Sequence, residues 1–241
     1  MLFDTETSEV DRTFGFNLGA HIHYLFKKNR VTVITRAHLH NMEGSHKLEK
    51  ISFKKHKSEN DDNLYFVQPD LVLVEGDLSG PKLNLQQILY FPGLKENPQF
   101  EESGIVSVDK SFSVHYNNVL SRIYAAGSGV NFPSFIHKKK YRCPDLQYNS
   151  EAGFFAALSL LNKQVRFYHM PMKHLRFFGH DFYYVGERSP GYNQVAIEGS
   201  PDQMRFVAYF IYGDEVIGTL SCGFKNIHLY LLESMKQMVL P

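Results

Sequence analysis

Two apolar runs, 205–212 and 215–220, are separated by Gly213-Asp214, a pair that supplies the positive φ a two-residue hairpin turn needs. Alternation along the first run puts Phe206, Ala208, Phe210 and Tyr212 on one face and Val207, Tyr209 and Ile211 on the other. Both faces are apolar, so the sheet must be covered twice. Two more β-type runs, 182–185 and 194–197, come before it, and 226–238 carries Ile227, Leu231 and Met235 on one stripe of a predicted helix. That helix covers one face. The other is covered either by the preceding residues or by a partner, with Phe206, Tyr209, Phe210 and Tyr212 as the candidate interface and a homodimer as one arrangement. Residues 163–241 thus read as an α+β antiparallel module closed by a C-terminal helix.

Residues 1–162 have a different texture. Leu18, Ile22 and Leu25-Phe26 fall at helical spacing, Lys27-Lys28 suit the C-terminal end of the helix dipole, and Asn29 is a stop. The β-branched run 31–35 follows directly, which is half of a βαβ unit. Residues 36–64, rich in His and Lys, read as an excursion with a strand pair and a mobile tip at 58–63. The continuous apolar run 70–75 predicts a parallel strand buried on both faces; 105–108 and 123–127 predict two more. After a basic linker, 138–144, the run 149–162 predicts an apolar helix in which Ala152, Gly153, Ala156 and Ala157 permit close approach. The fold class is α/β, an incomplete Rossmann-like parallel sheet, followed by the α+β module.

With 43% apolar and 21% charged residues among 241, a sizeable core can be buried. A net charge of +1 gives no reason to expect nucleic acid or anionic membrane as partner. No stretch has the roughly 18 apolar residues of a membrane span, and the start, Met1-Leu2-Phe3-Asp4, is not a secretory signal. Cys143 and Cys222 are far apart, with no zinc or dithiol spacing, and fit a reducing, intracellular compartment.

The order of parts, with Val108-Asp109 and then Ile123-Tyr124-Ala125-Ala126-Gly127-Ser128, resembles the pyridine-nucleotide-dependent flavoprotein reductases, including their apoptosis-inducing-factor-like and ferredoxin-reductase-like members. In that family the equivalent segment reads I-Y-A-x-G-D and returns the chain to the flavin. The resemblance implies that Gly127 and Ser128 are vestigial flavin contacts, and that Arg36, after the 31–35 strand, is a vestigial contact for a 2′-phosphate. Ser128 stands where the family has Asp, which exchanges a charge-assisted hydrogen bond, worth roughly 1.5–3 kcal/mol, for a neutral one. No G-x-G-x-x-G occurs; the nearest remnant is Gly15-Phe16-Asn17-Leu18-Gly19, where Phe16 would crowd a diphosphate, and the stretch 9–14 is too polar for the strand that should lead into it. These departures imply that the flavin-binding half is missing and the nicotinamide half begins part-way.

A second resemblance is to the C-terminal region of the cilia- and flagella-associated protein 61 family, large axonemal proteins linked to the base of radial spokes and to sperm-flagellum assembly. It implies a non-enzymatic scaffold of the cytoplasm and ciliary or flagellar axoneme, with no cofactor and with axonemal or radial-spoke proteins as partners. The alternative is a flavin- or NAD(P)-dependent oxidoreductase whose cofactor-binding half lies on a longer chain. No catalytic residue is assigned. His21, His23, His38 and His40 form two His-x-His pairs, but no acidic residue near them completes a metal set, and a surface role is expected.

Overall fold

The computed structural model describes residues 2–3, 14–35, 37–55, 64–73, 105–116, 119–134, 136, 140–143, 145–163, 165, 167–187 and 191–237. The chain divides into two compact units. One comprises Met1–Gly76, Phe177–Gly179 and Ser200–Met204; the other comprises Asp77–Arg176, His180–Gly199 and Arg205–Pro241.

The first unit begins with a small βαβ arrangement. β1 (Leu2–Phe3) pairs in parallel with β2 (Val33–Ile34), and α1 (Phe16–Lys28) lies between them in sequence. Leu18, Ile22 and Leu25 form the buried stripe of α1 at i, i+4 and i+7 spacing. The helix stops at Asn29, whose backbone N–H and side-chain Nδ2 both donate to the Leu25 carbonyl, the latter at 2.9 Å. Within the same unit Phe26 packs on the rings of Phe177 and Phe178, with centroids 5.9 and 5.2 Å away. An antiparallel meander follows: β3 (Ala37–Glu43), β4 (Lys50–Lys55) and β5 (Leu64–Val67). Where a strand pair was expected there are three strands. Ile51 and Phe53 turn into the unit, and β3 bulges between Leu39 and Asn41. The expected tip at 58–63 lies outside the described residues, as does Arg36.

In the second unit β6 (Val106–Ser107) pairs in parallel with β9 (Val130–Pro133), and β10 (Lys140–Tyr141) runs antiparallel on the other side of β9. The hairpin β7 (Ser113–Tyr116) and β8 (Val119–Tyr124) is inserted between β6 and β9. α2 (Leu146–Leu160) starts three residues before the expected 149, because the Asp145 carboxylate accepts from the Tyr148 N–H at 3.0 Å and caps the helix there. An aromatic cluster fills the space between these elements: Phe112, Phe132 and Phe167 have mutual centroid distances of 4.7–5.3 Å.

The same unit carries a five-stranded antiparallel sheet in the order β11-β12-β15-β14-β13, made of β11 (Met172–Phe177), β12 (His180–Gly186), β13 (Gln194–Ser200), β14 (Arg205–Tyr212) and β15 (Glu215–Cys222). Gly213 has φ 63° in the turn between the two central strands, as its place in the hairpin requires. α3 (Ile227–Lys236) follows, and its Leu231 and Met235 are buried.

Among the described residues parallel pairing occurs in two short pieces, β1 with β2 and β6 with β9. The expected strand at 70–75 is not formed at Asp70–Leu73, where the backbone is irregular; its last two residues lie outside the description. A strand precedes α1 at Leu2–Phe3; of the polar stretch 9–14, residues 9–13 lie outside the described residues. Among the described residues no helix is long and apolar enough to cross a membrane.

Candidate functional site

The turn that leads into β9 is the feature to which sequence and geometry both point. β8 ends at Tyr124, and the Ala125 N–H donates to the Phe112 carbonyl at 3.0 Å, which carries the chain off the hairpin. Gly127 then takes φ 116°, a conformation that a side chain would strain. The Val130 N–H closes the turn on the Gly127 carbonyl at 3.1 Å, and the Val106 N–H of the parallel neighbour holds the Gly129 carbonyl at 3.0 Å. A Cβ built on Gly127 or on Gly129 meets nothing within 4 Å, so the turn presents its backbone to open space. Arg142, next to β10, donates from Nε to the Ser128 carbonyl. The result is a side-chain-poor turn with the Ser128 hydroxyl and a guanidinium beside it. That donor set suits the hydroxyl and phosphate oxygens of a nucleotide-like group.

Asp109, which the resemblance singles out, is occupied in shaping the fold. Its carboxylate accepts from the Ser111 and Ser113 N–H groups at 2.8 and 2.9 Å and fixes the turn from β6 to β7. Gly127 and Ser128 are brought together with Arg142, which sequence reasoning placed in a basic linker. The alternation Tyr141 buried, Arg142 half-buried, Cys143 buried is the strand-like signal that would have found it.

The start of α1 is the second place to test. Gly15 is its N-cap, with φ 79° and no side-chain cap, and the first turn holds no acidic residue. Free first-turn amides of this kind favour an anion. Phe16, however, is 80% exposed at the first helical position, and only one glycine pair, Gly15 and Gly19, lies here. The residues do not reproduce a glycine-lined cradle for a diphosphate, whereas the Gly127–Gly129 turn does offer an approachable backbone.

A buried polar cluster lies further along β9 and β10. Glu187 is 1% exposed; it accepts from the Ser134 hydroxyl, which in turn accepts from the Ile136 N–H at 2.9 Å. Burial pushes the Glu187 carboxyl up to about 7, against the downward pull of hydrogen bonds from Ser134 and Tyr141. The folded protein therefore holds this proton to higher pH than the unfolded chain. The stability it contributes is fully present below the ordinary value of 4.5 and is lost as pH rises towards 7. Glu187→Gln is expected to flatten that loss, on the order of 3 kcal/mol in wild type. Denaturant midpoints at pH 4.5 and 7.5 check it: wild type falls and the variant does not.

The remaining candidates fall elsewhere. His21 pairs with Asp202 at 2.9 Å, an acidic partner distant in sequence, and among the described residues no cluster of three His, Cys, Asp or Glu is arranged to hold a metal. Cys143 and Cys222 are both buried and free; burial pushes each thiol up to about 11, which suppresses thiolate chemistry. Phe206 and Phe210 are 0% and 1% exposed and so are packed within this chain, with no surface to offer a partner; Tyr209 and Tyr212 are half-buried.

No family model matches the chain. It is 24% identical over 226 residues to human apoptosis-inducing factor 3, spanning 93% of this chain and 34% of that protein. It is 27% identical over 128 residues to the mouse protein of the same name, 53% of this chain and 20% of that one. The chain therefore spans about a third or less of the length of these relatives. Among solved structures it resembles putidaredoxin reductase in its covalent complex with putidaredoxin, with TM-score 0.75 at 19% identity, covering 98% of this chain and 52% of that one. It also resembles the water-forming NADH oxidase of Lactobacillus brevis, with TM-score 0.70 at 14% identity, covering 99% and 52%. A third is an FAD-dependent pyridine nucleotide-disulphide oxidoreductase from Desulfovibrio vulgaris, with TM-score 0.68 at 15% identity, covering 98% and 56%. The fold is that of the pyridine-nucleotide-binding reductases. These likenesses overturn the reading as a non-enzymatic ciliary scaffold. They run to reductases and to apoptosis-inducing factor 3, and no ciliary or radial-spoke protein is among them.

Proposed function

We propose that this chain forms part of a flavin-dependent oxidoreductase that uses a pyridine nucleotide, and that the Gly127–Gly129 turn is its contribution to the flavin site. The observation that carries this reading is the open, side-chain-poor turn clamped by Arg142. It sits within a chain that shares sequence with apoptosis-inducing factor 3 over 226 residues and its fold with NAD- and FAD-dependent reductases. Such a flavin, when bound, accepts electrons from a reduced nicotinamide and passes them on. The chain's own residues do three things towards it. Gly127 and Gly129 let a ribityl or phosphate group approach the backbone. Ser128 offers a neutral hydroxyl, and Arg142 both fixes the turn and supplies positive charge. Since Cys143 and Cys222 are buried apart, no dithiol step is assigned to them.

The test is FAD titration of the purified chain, followed by quenching of flavin fluorescence and by thermal shift. Saturable quenching with a rise in melting temperature is expected, because a ligand that binds only the folded state stabilises it. Gly127→Val, which strains a backbone at φ 116° and fills the open face, is expected to weaken binding at least tenfold. Absence of any saturable FAD response in wild type overturns the reading.

A further inference from the structure

The five-stranded sheet carries a ring stack that no part of the proposed flavin site uses. On one side of the sheet Tyr183 of β12 lies between two imidazoles. His174 of β11 stacks on it with centroids 4.5 Å apart at 14°, and His228 of α3 stacks on the opposite side at 3.7 Å and 7°. His174 is tied through Nε2 to the Asp181 carboxylate at 2.8 Å, and Arg176 approaches the same carboxylate at 3.8 Å. His228 is 9% exposed, and its Nδ1 is buried without a hydrogen-bond partner. It is the second residue of α3, whose N-cap Asn226 makes no side-chain cap and whose first turn holds no acid.

We infer that α3 is a proton-released cap on this sheet, seated while His228 is neutral and let go when His228 becomes charged. Four features of the site oppose a cation there. The imidazole is removed from water. The helix start around it already carries partial positive charge. His174, held by Asp181 across Tyr183, weighs against a charge on His228. The counter-charge is engaged elsewhere, since Asp181 faces His174 and Arg176.

The facing groups can be named element by element. β11 gives His174 and Arg176; β12 gives Asp181 and Tyr183. β15 gives Ser221 opposite Tyr183 in the pairing register, a neutral hydroxyl, and Cys222, which senses Asp181. α3 itself carries Glu233 and Lys236 beyond its first turn. None of these puts a free carboxylate on His228. Burial, and then His174, accordingly hold the His228 imidazole below the usual histidine range. A histidine held low in the seated state favours that state above pH 6.5, its ordinary value, and the preference is lost as pH falls. The other anchors, Leu231 and Met235, are apolar and do not respond to pH.

Hydrogen exchange of the full chain, read separately over residues 227–236 and over α2 and corrected for intrinsic rates, tests this between pH 7.5 and 5. The expected result is a loss of protection in α3 of up to about tenfold per pH unit below 6.5, with α2 protection unchanged. His228→Phe keeps a stacked ring that cannot titrate and is expected to make α3 protection independent of pH. His174→Phe removes the ring that weighs against a charge on His228 and is expected to move the release to lower pH. Should either variant fold poorly, an NMR titration of the His228 ring in wild type decides: a midpoint below that of a free histidine, coincident with α3 release, is the expected outcome. Unchanged α3 protection down to pH 5, equal loss in α2, or a pH profile shared by wild type and His228→Phe would overturn the inference.

Discussion

Gly186→Ala is expected to destabilise the protein by about 4 kcal/mol, a large share of the roughly 5–15 kcal/mol that holds a domain folded. Gly186 ends β12 with φ 118°, a region that L side chains rarely enter. A Cβ there would fall against the Ile217 carbonyl oxygen and the Gly218 Cα of the neighbouring strand, and 2.9 Å from Met235 Cε of α3. Two of the three obstacles are backbone in the centre of a sheet and cannot swing aside. The same residue is pinned from both ends: its N–H donates to the Pro171 carbonyl at 2.9 Å, and the Glu187 N–H donates to the Ile217 carbonyl at 2.8 Å. Opposite it in register stands Gly218, so two glycines meet where strand approaches strand. Urea denaturation read by far-UV circular dichroism checks the figure. A midpoint within about 0.5 kcal/mol of wild type would show that the backbone relaxes there and that the close approach is not required.

Phe210→Ala is the second large effect, about 3–5 kcal/mol, or roughly 10 °C in melting temperature for a chain of this size. Phe210 lies in β14 with no exposed surface to speak of, its ring 5.8 Å from that of Tyr184 and 5.1 Å from that of Tyr192. Truncation leaves a cavity whose walls are strands held in a ladder, so collapse is restricted. Tyr212, two residues on and half-buried, is expected to cost well under half as much when cut to alanine. Differential scanning calorimetry of the two variants separates a core from an interface. Were Phe210 part of a partner-facing surface, its loss would leave the isolated chain's melting temperature nearly unchanged and alter association instead.

That pair of residues shows where reading the sequence succeeds and where it stops. Alternation along 205–212 correctly places Phe206 and Phe210 on one face, and Gly213-Asp214 correctly marks the turn, because both are local consequences of backbone geometry. What lies over a face is decided by residues distant in sequence, and periodicity carries no information about it. The same division holds elsewhere. Leu18, Ile22, Leu25 and Asn29 announce α1 and its end, whereas β11 is missed because the run 172–176 is exposed throughout, an edge strand with no alternation to detect.

The site was half legible for the same reason. Gly127 and Ser128 stand out because a strand-like run ends in a small residue that must take positive φ. Arg142 was missed: the alternation at 141–143 marks a strand, but its role depends on β10 pairing with β9, only two residues deep, and on a reach back to the Ser128 carbonyl. Asp109, prominent in the motif, proved to serve the β6–β7 turn. A motif residue's chemistry follows from the donors around it and not from its letter.

The most direct measurement is an NMR titration of isotope-labelled chain with FAD, following the backbone amides of Gly127, Ser128 and Gly129 and the Nε–H of Arg142. The proposed flavin contact predicts that these signals move first, together and saturably, while those of β3–β5 stay in place. Shifts that never saturate, or that gather away from the Gly127–Gly129 turn, would contradict it.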